Sequence, residues 1–218
     1  MTHDYTLYYV LNLPATRDPL ALARAAVAGG AGVLQLRGKD VSAADLYRLA
    51  VALKERLTPA GVPLIIDDRL DVALAAGADG VHVGGDDLPC ARVRELAPDM
   101  ILGVSCYGDL TRAATAAAAG ADYLAFGAFH PSPSKPDAPV VPRAVLGEAR
   151  RFGLPVVAIG GVTRATVAEL IRAGADGVAV ISAIQDADDA EQAARELTEA
   201  VAAAQAHDAG TGQVRKNV

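Results

Sequence analysis

The chain has 218 residues, a formal net charge of -6, 52% hydrophobic residues and 21% charged residues. This length suits one α/β domain with a large core, and the composition excludes a disordered chain. The acidic balance, without a basic stripe, argues against nucleic acid as a partner, and no apolar run approaches the roughly 18 residues of a membrane helix.

The opening Met1-Thr2-His3-Asp4-Tyr5 is polar and does not read as a signal peptide, so a cytoplasmic protein is expected. Thr6 to Leu11 is the first apolar run and reads as strand one. A phrase then follows that recurs four times along the chain. It reads Gly30-Ala31-Gly32 before Val33-Leu34-Gln35-Leu36, then Gly77-Ala78-Asp79-Gly80 before Val81-His82-Val83. It returns as Gly120-Ala121-Asp122 before Tyr123-Leu124-Ala125-Phe126, and last as Gly174-Ala175-Asp176-Gly177 before Val178-Ala179-Val180. Each copy follows an Ala-rich helical stretch and opens a buried strand, which is one unit of a parallel α/β fold.

Other runs fall between the copies. Leu64-Ile65-Ile66 reads as strand three, Met100 to Val104 as strand five and Val156 to Ile159 as strand seven. Leu46, Leu49, Ala50 and Leu53 keep a period near 3.6, and Ser42 with Asp45 starts that helix as an acidic variant of the capping box. Eight strands alternating with eight helices predict a single-domain (β/α)8 TIM barrel over residues 1–205, with its active site at the C-terminal ends of the strands. An open doubly wound sheet explains the alternation but not the even count. Residues 206–218, polar and Gly-rich, read as a frayed C-terminal tail.

Chemistry is therefore expected where strands end. Gln35, Arg37 and Lys39 fall on one side of strand two and suit a di-anion such as pyrophosphate, although a solvated loop also explains them. Asp67-Asp68 ends strand three, and Asp86-Asp87 follows strand four. Carboxylates from neighbouring strand ends can share one Mg2+, whereas helix N-capping explains one acid per strand. Ser105, after strand five, is a ligand hydroxyl or a helix cap. The long stretch after strand six carries Ser132, Ser134 and Lys135, which can donate to phosphate oxygens. Gly160-Gly161 after strand seven, with Ile181-Ser182 after strand eight, fits the usual phosphate cradle of a barrel. His82 reads as a satisfied core or mouth residue, and His130 as a loop residue within reach of ligand. Cys90 and Cys106 match neither a disulfide framework nor a zinc pattern.

Taken together, Gln35-Leu36-Arg37-x-Lys39, Asp67-Asp68-Arg69, Gly80-Val81-His82-Val83-Gly84 with Asp87, Gly103-Val104-Ser105, Pro131 to Pro136, Ile159-Gly160-Gly161 and Val180-Ile181-Ser182 resemble the thiamine phosphate synthase family from about Tyr8 to about Ala203. The resemblance implies condensation of hydroxymethylpyrimidine diphosphate with a thiazole phosphate, giving thiamine phosphate and pyrophosphate. It assigns Gln35, Arg37 and Lys39 to the pyrimidine diphosphate and Asp68 and Asp87 to Mg2+, with Asp67 beside the pyrimidine. It assigns Ser105 and Lys135, with Arg37, to the departing pyrophosphate, and Ser132, Ser134, Gly161, Ile181 and Ser182 to the thiazole phosphate. Small molecules are the implied partners, and a homo-oligomer is compatible with the sequence. This chain departs from the family in having Asp67 for a usual Asn, Ser132 and Ser134 for threonines, Gly38 for an acid, and Tyr107 where relatives often carry His. Thiazole tautomerase-like isomerases share the fold but tend to lack the metal and Lys set. A non-catalytic phosphate-binding sensor barrel and a phosphosugar-handling barrel are the other readings.

Overall fold

The computed structural model describes residues 3–131 and 139–214, the stretch 208–214 as backbone alone. Eight parallel strands close into one barrel in sequential order. They are β1 (Leu7–Asn12), β2 (Val33–Arg37), β3 (Leu64–Asp67), β4 (Gly80–Val83), β5 (Ile101–Tyr107), β6 (Tyr123–Phe126), β7 (Val156–Ile159) and β8 (Gly177–Val180). Around them lie α1 (Pro19–Ala28), α2 (Ala43–Leu57), α3 (Leu70–Ala76), α4 (Cys90–Leu96), α5 (Leu110–Ala118), α6 (Ala144–Ala149), α7 (Arg164–Arg172), α8 (Ser182–Gln185) and α9 (Ala190–Val214). The barrel expected from the alternation is thus the barrel observed.

Strand period explains its two cores. Leu7, Tyr9 and Leu11 of β1 face outward with Leu34 and Leu36 of β2, in the large cluster under the helices. Tyr8, Val10, Val33, Ile65, Ile101, Tyr123, Val157 and Ala179 face inward and fill the lumen. Gln35 and Arg37 continue the inward row of Val33, so they emerge at the C-terminal mouth.

The recurring Asp has a structural task at the opposite end of the barrel. Asp79, Asp122 and Asp176 accept the N–H of Leu64, Leu102 and Val156 at 2.8, 2.7 and 2.8 Å. Each of those N–H groups lies at the first or second residue of the preceding odd-numbered strand and would otherwise be orphaned. Each Asp also meets a cation from the helical segment before that strand: Lys54 at 2.6 Å, Arg94 at 2.7 Å and Arg150 at 3.5 Å. The first copy has Gly32 instead, because a Cβ there would lie 2.2 Å from the Asp4 carbonyl oxygen.

Three details differ from expectation. β8 is followed by two helices, since the short α8 begins directly at Ser182. Helix α9 runs on to Val214, through the first part of the stretch expected to be a frayed tail. Once a helix is formed, extending it adds a hydrogen bond for each residue fixed, so a polar sequence need not end it. At α2, Ser42 accepts the Asp45 N–H at 3.1 Å, but the Asp45 carboxylate turns to the Ser42 hydroxyl at 2.6 Å, giving half of a capping box.

Candidate active site

A cavity of about 390 Å³ opens at the C-terminal mouth, a size suited to a small-molecule ligand. Gln35, Arg37, Lys39, Asp67, Asp68, Asp87, Ser105 and Ile181 all line it, together with His82, Gly84, Tyr107 and Gly160. Gly161 and Ser182 line a smaller adjoining hollow that shares Ile159, Gly160 and Ile181 with the first. Ser132, Ser134 and Lys135 lie outside the described residues.

The basic and acidic sets expected from strands two to four interlock. Gln35 Nε2 donates to Asp67 Oδ1 at 2.9 Å, and Arg37 Nε lies 3.3 Å from Asp67 Oδ2. Arg37 also donates to the Asn12 side chain. Asn12 is in turn clamped by Gln185, which accepts its N–H and donates to its carbonyl, both at 3.0 Å. Lys39 Nζ meets Asp68 Oδ2 at 3.0 Å, which raises the lysine's pKa. Burial raises the Asp68 carboxyl, but hydrogen bonds with Lys39 and Asp87 outweigh it and hold its pKa below the ordinary value. Asp87 moves the other way: burial and its contact with Asp68 hold it above the ordinary value, against the Gly84 N–H that it accepts at 2.7 Å. Two carboxyl groups so close resist ionising together, and a cation between them would relieve that repulsion.

These acids are not helix caps. The N-cap residues of α3 and α4 are Arg69 and Pro89, neither with a side-chain capping bond. Ser105 is not a cap either, because Asp109 caps α5 by accepting from Thr111 and Arg112. Asp68 and Asp87 therefore offer oxygen donors of the kind a hard divalent cation takes. Among the described residues no group of three or more His, Cys, Asp or Glu gathers as a metal cluster. Such a cation can complete its shell with water and substrate oxygens.

Among the described residues, Asp68 and Tyr107 are the non-glycine positions with positive φ, at 63° and 55°. Both line the cavity, where such conformations concentrate for functional reasons. Tyr107 accepts the Gly85 N–H at 3.0 Å, and Arg112 donates to the Ser105 and Gly84 carbonyls, each at 2.6 Å. The loop bearing Asp87 is thereby tied to β5. Neither Arg112 nor Gln185 is expected from the sequence; a charged residue early in α5 and a buried Gln in α8 are the only traces.

Gly160 and Gly161 have φ of 98° and 63°, and each packs against the segment after β6. A Cβ on Gly160 would lie 2.4 Å from Ala128 Cβ, and one on Gly161 2.6 Å from His130 Cβ. Their small size thus serves backbone packing as well as the hollow beside them. His130 turns to Glu169 at 2.9 Å and does not line the cavity.

Comparison with known proteins agrees with this geometry. The family described as thiamine monophosphate synthase matches residues 7–184. The chain is 48% identical to the thiamine-phosphate synthase of Methanoculleus marisnigri over 93% of its own length and 98% of that protein. It is 44% identical to that of Chloroflexus aurantiacus, over 93% and 95%. A solved thiamine phosphate pyrophosphorylase from Pyrococcus furiosus superposes with a TM-score of 0.85 at 34% identity, covering 93% of this chain and 98% of that one. A 3-hexulose-6-phosphate synthase from Salmonella typhimurium, 22% identical with a TM-score of 0.71, shares the fold alone. On the strength of the full-length match and the strand-end residues, the chain belongs to the thiamine monophosphate synthase family of transferases.

Proposed function

We propose that the cavity condenses 4-amino-2-methyl-5-hydroxymethylpyrimidine diphosphate with thiazole phosphate, or its carboxylate form, in a Mg2+-dependent reaction. The products are thiamine phosphate and pyrophosphate. The observation that carries this reading is the interlocked set Gln35, Arg37 and Lys39 against Asp67, Asp68 and Asp87 at one mouth. A barrel that only cradled a phosphosugar would have no use for two cations and paired acids on the side away from its phosphate site.

Arg37 and Lys39 bind the diphosphate as it enters. Mg2+, held by Asp68 and Asp87, would supply further charge neutralisation to the diphosphate oxygens. Charge grows on those oxygens as the bond to the pyrimidine methylene lengthens. Arg37, Lys39, the Ser105 hydroxyl and Lys135 meet it. The methylene becomes carbocation-like, and the thiazole nitrogen then forms the new C–N bond while pyrophosphate departs with the old C–O pair. Asp67, held by Gln35 and Arg37, lies where it can accept from an exocyclic amine. Gly161, Ile181 and Ser182, with Ser132 and Ser134, hold the thiazole phosphate.

The test is the condensation itself, run with purified protein and both substrates, with and without Mg2+. Equal amounts of thiamine phosphate and pyrophosphate that appear only with metal are expected. Binding of both substrates without product would overturn the reading.

A further inference from the structure

Beneath Ser105 the lumen contains a row of polar side chains that this chemistry does not use. Tyr8 of β1 and Tyr123 of β6 are buried, with their hydroxyls 2.6 Å apart. The Tyr123 hydroxyl is 2.9 Å from His82 Nδ1, and His82 Nε2 is 2.8 Å from Ser105 Oγ at the cavity wall. Four strands thus contribute one side chain each to a path from the barrel interior to the mouth. Tyr5 packs its ring on Tyr123 at 4.9 Å between centroids and helps keep the path dry.

Counting hydrogens decides which way the path runs. Burial pushes both phenols well above their ordinary pKa, so each is a hydroxyl with one hydrogen. A neutral imidazole likewise carries one N–H. In one direction Tyr8 donates to Tyr123, Tyr123 to His82 Nδ1, and His82 Nε2–H to Ser105 Oγ. In the other, Ser105 donates to Nε2, Nδ1–H to Tyr123, and Tyr123 to Tyr8. The second direction leaves the Tyr8 hydrogen without an acceptor, since Tyr123 is its hydrogen-bond partner among the described residues. An imidazolium donates from both nitrogens and strands the Tyr8 hydrogen in the same way. An orphaned buried donor is the costliest arrangement available, so the first direction wins.

We propose that Tyr8, Tyr123 and His82 form a positioning chain that holds His82 as its Nε2–H tautomer and so leaves the Ser105 hydroxyl hydrogen to be donated to an anionic oxygen in the cavity. The direction of the chain makes Ser105 a donor to ligand; reversed, its hydrogen would be spent on His82. That this oxygen belongs to departing diphosphate rests on the proposed function, whereas the tautomer does not.

The test has two arms. In 15N-labelled protein at pH 7, the His82 ring, assigned by its loss in His82→Gln, should show a protonated Nε2 and an unprotonated Nδ1. A protonated Nδ1, alone or in an imidazolium, would overturn the proposal whatever the enzyme's activity. In kinetics, His82→Leu should lower kcat roughly 100-fold, the scale of losing one oriented donor. KM for the pyrimidine diphosphate should stay within about threefold in that variant. His82→Gln, whose amide can both accept from Tyr123 and donate to Ser105, should recover all but about tenfold of kcat. Equal loss in the Leu and Gln variants at matched melting temperature would overturn the positioning role. A wild-type protein without turnover would count against the proposed function and leave the first arm to decide this one.

Discussion

Arg37 and Asp67 face each other across the β2–β3 seam at 3.3 Å, with 17% and 11% of their side chains exposed. Gln35 and Asn12 hold the outer ends of this pair. The guanidinium that meets the diphosphate is therefore oriented before substrate arrives, which spares part of the ordering entropy of binding.

Arg37→Ala removes a charge-assisted bond to the diphosphate worth about 1.5–3 kcal/mol, so KM for the pyrimidine diphosphate should rise about 10–100-fold. The same variant removes the ion-pair partner of Asp67 in a part-buried site, and should melt at a lower temperature. Steady-state kinetics and a thermal melt check both. An unchanged KM would remove Arg37 from the diphosphate site.

Asp87→Ala takes away half of the paired acids. The Mg2+ concentration for half-maximal turnover should rise by about tenfold or more, corresponding to at least about 1.4 kcal/mol. A Mg2+ titration that superposes on that of the wild type would contradict the metal assignment. Lys135→Ala should lower turnover by orders of magnitude with the fold intact, as expected for loss of a charge on the leaving group.

Asp122→Ala probes the other end of the barrel. It leaves the Leu102 N–H, now held at 2.7 Å, without its acceptor, and removes the ion-pair partner of Arg94, which keeps its bonds to the Gly120, Pro98 and Met100 carbonyls. Stability should fall by about 1 kcal/mol. Urea unfolding should show a lower midpoint at unchanged slope, while turnover stays at the wild-type level. A loss of turnover would mean that the two ends of the barrel are coupled.

Cys106 is buried and its thiol is pushed up to about 12 by burial, opposed by Arg112. The thiolate is the reactive form, so at pH 8 the native protein should not be alkylated there. Reactivity should appear only in denaturant, or as pH rises towards that value. Mass spectrometry after brief iodoacetamide treatment checks this, and rapid native labelling of Cys106 would contradict the packing of β5.

Much of the arrangement is legible in the chain because strand period converts sequence spacing directly into direction. Val33, Gln35 and Arg37 alternate with Leu34 and Leu36, so the inward row and its exit at the mouth follow from period two. Adjacent acids after an apolar run likewise announce a site, since they are too costly to bury unpaired. The choice between ligand and cap at Ser105 is not local. It depends on Asp109 taking the cap and on His82 reaching across from β4. The path from Tyr8 to Tyr123 joins residues 115 positions apart across the lumen, a relation that no spacing encodes. Arg112 is similar: its partners are backbone carbonyls, which carry no sequence signal. The course of α9 beyond residue 206 was hidden because helix propagation depends on what precedes a segment, not on its own polarity.

The central claim is that the basic triplet and the paired acids converge on one metal-bound diphosphate. Crystals grown with Mn2+ and pyrophosphate, measured for anomalous scattering, test it most directly. The account predicts one strong anomalous peak between Asp68 and Asp87, with pyrophosphate oxygens in hydrogen-bond reach of Arg37, Lys39 and Ser105. Mn2+ bound elsewhere, or pyrophosphate seated only against Gly161 and Ser182, would contradict it.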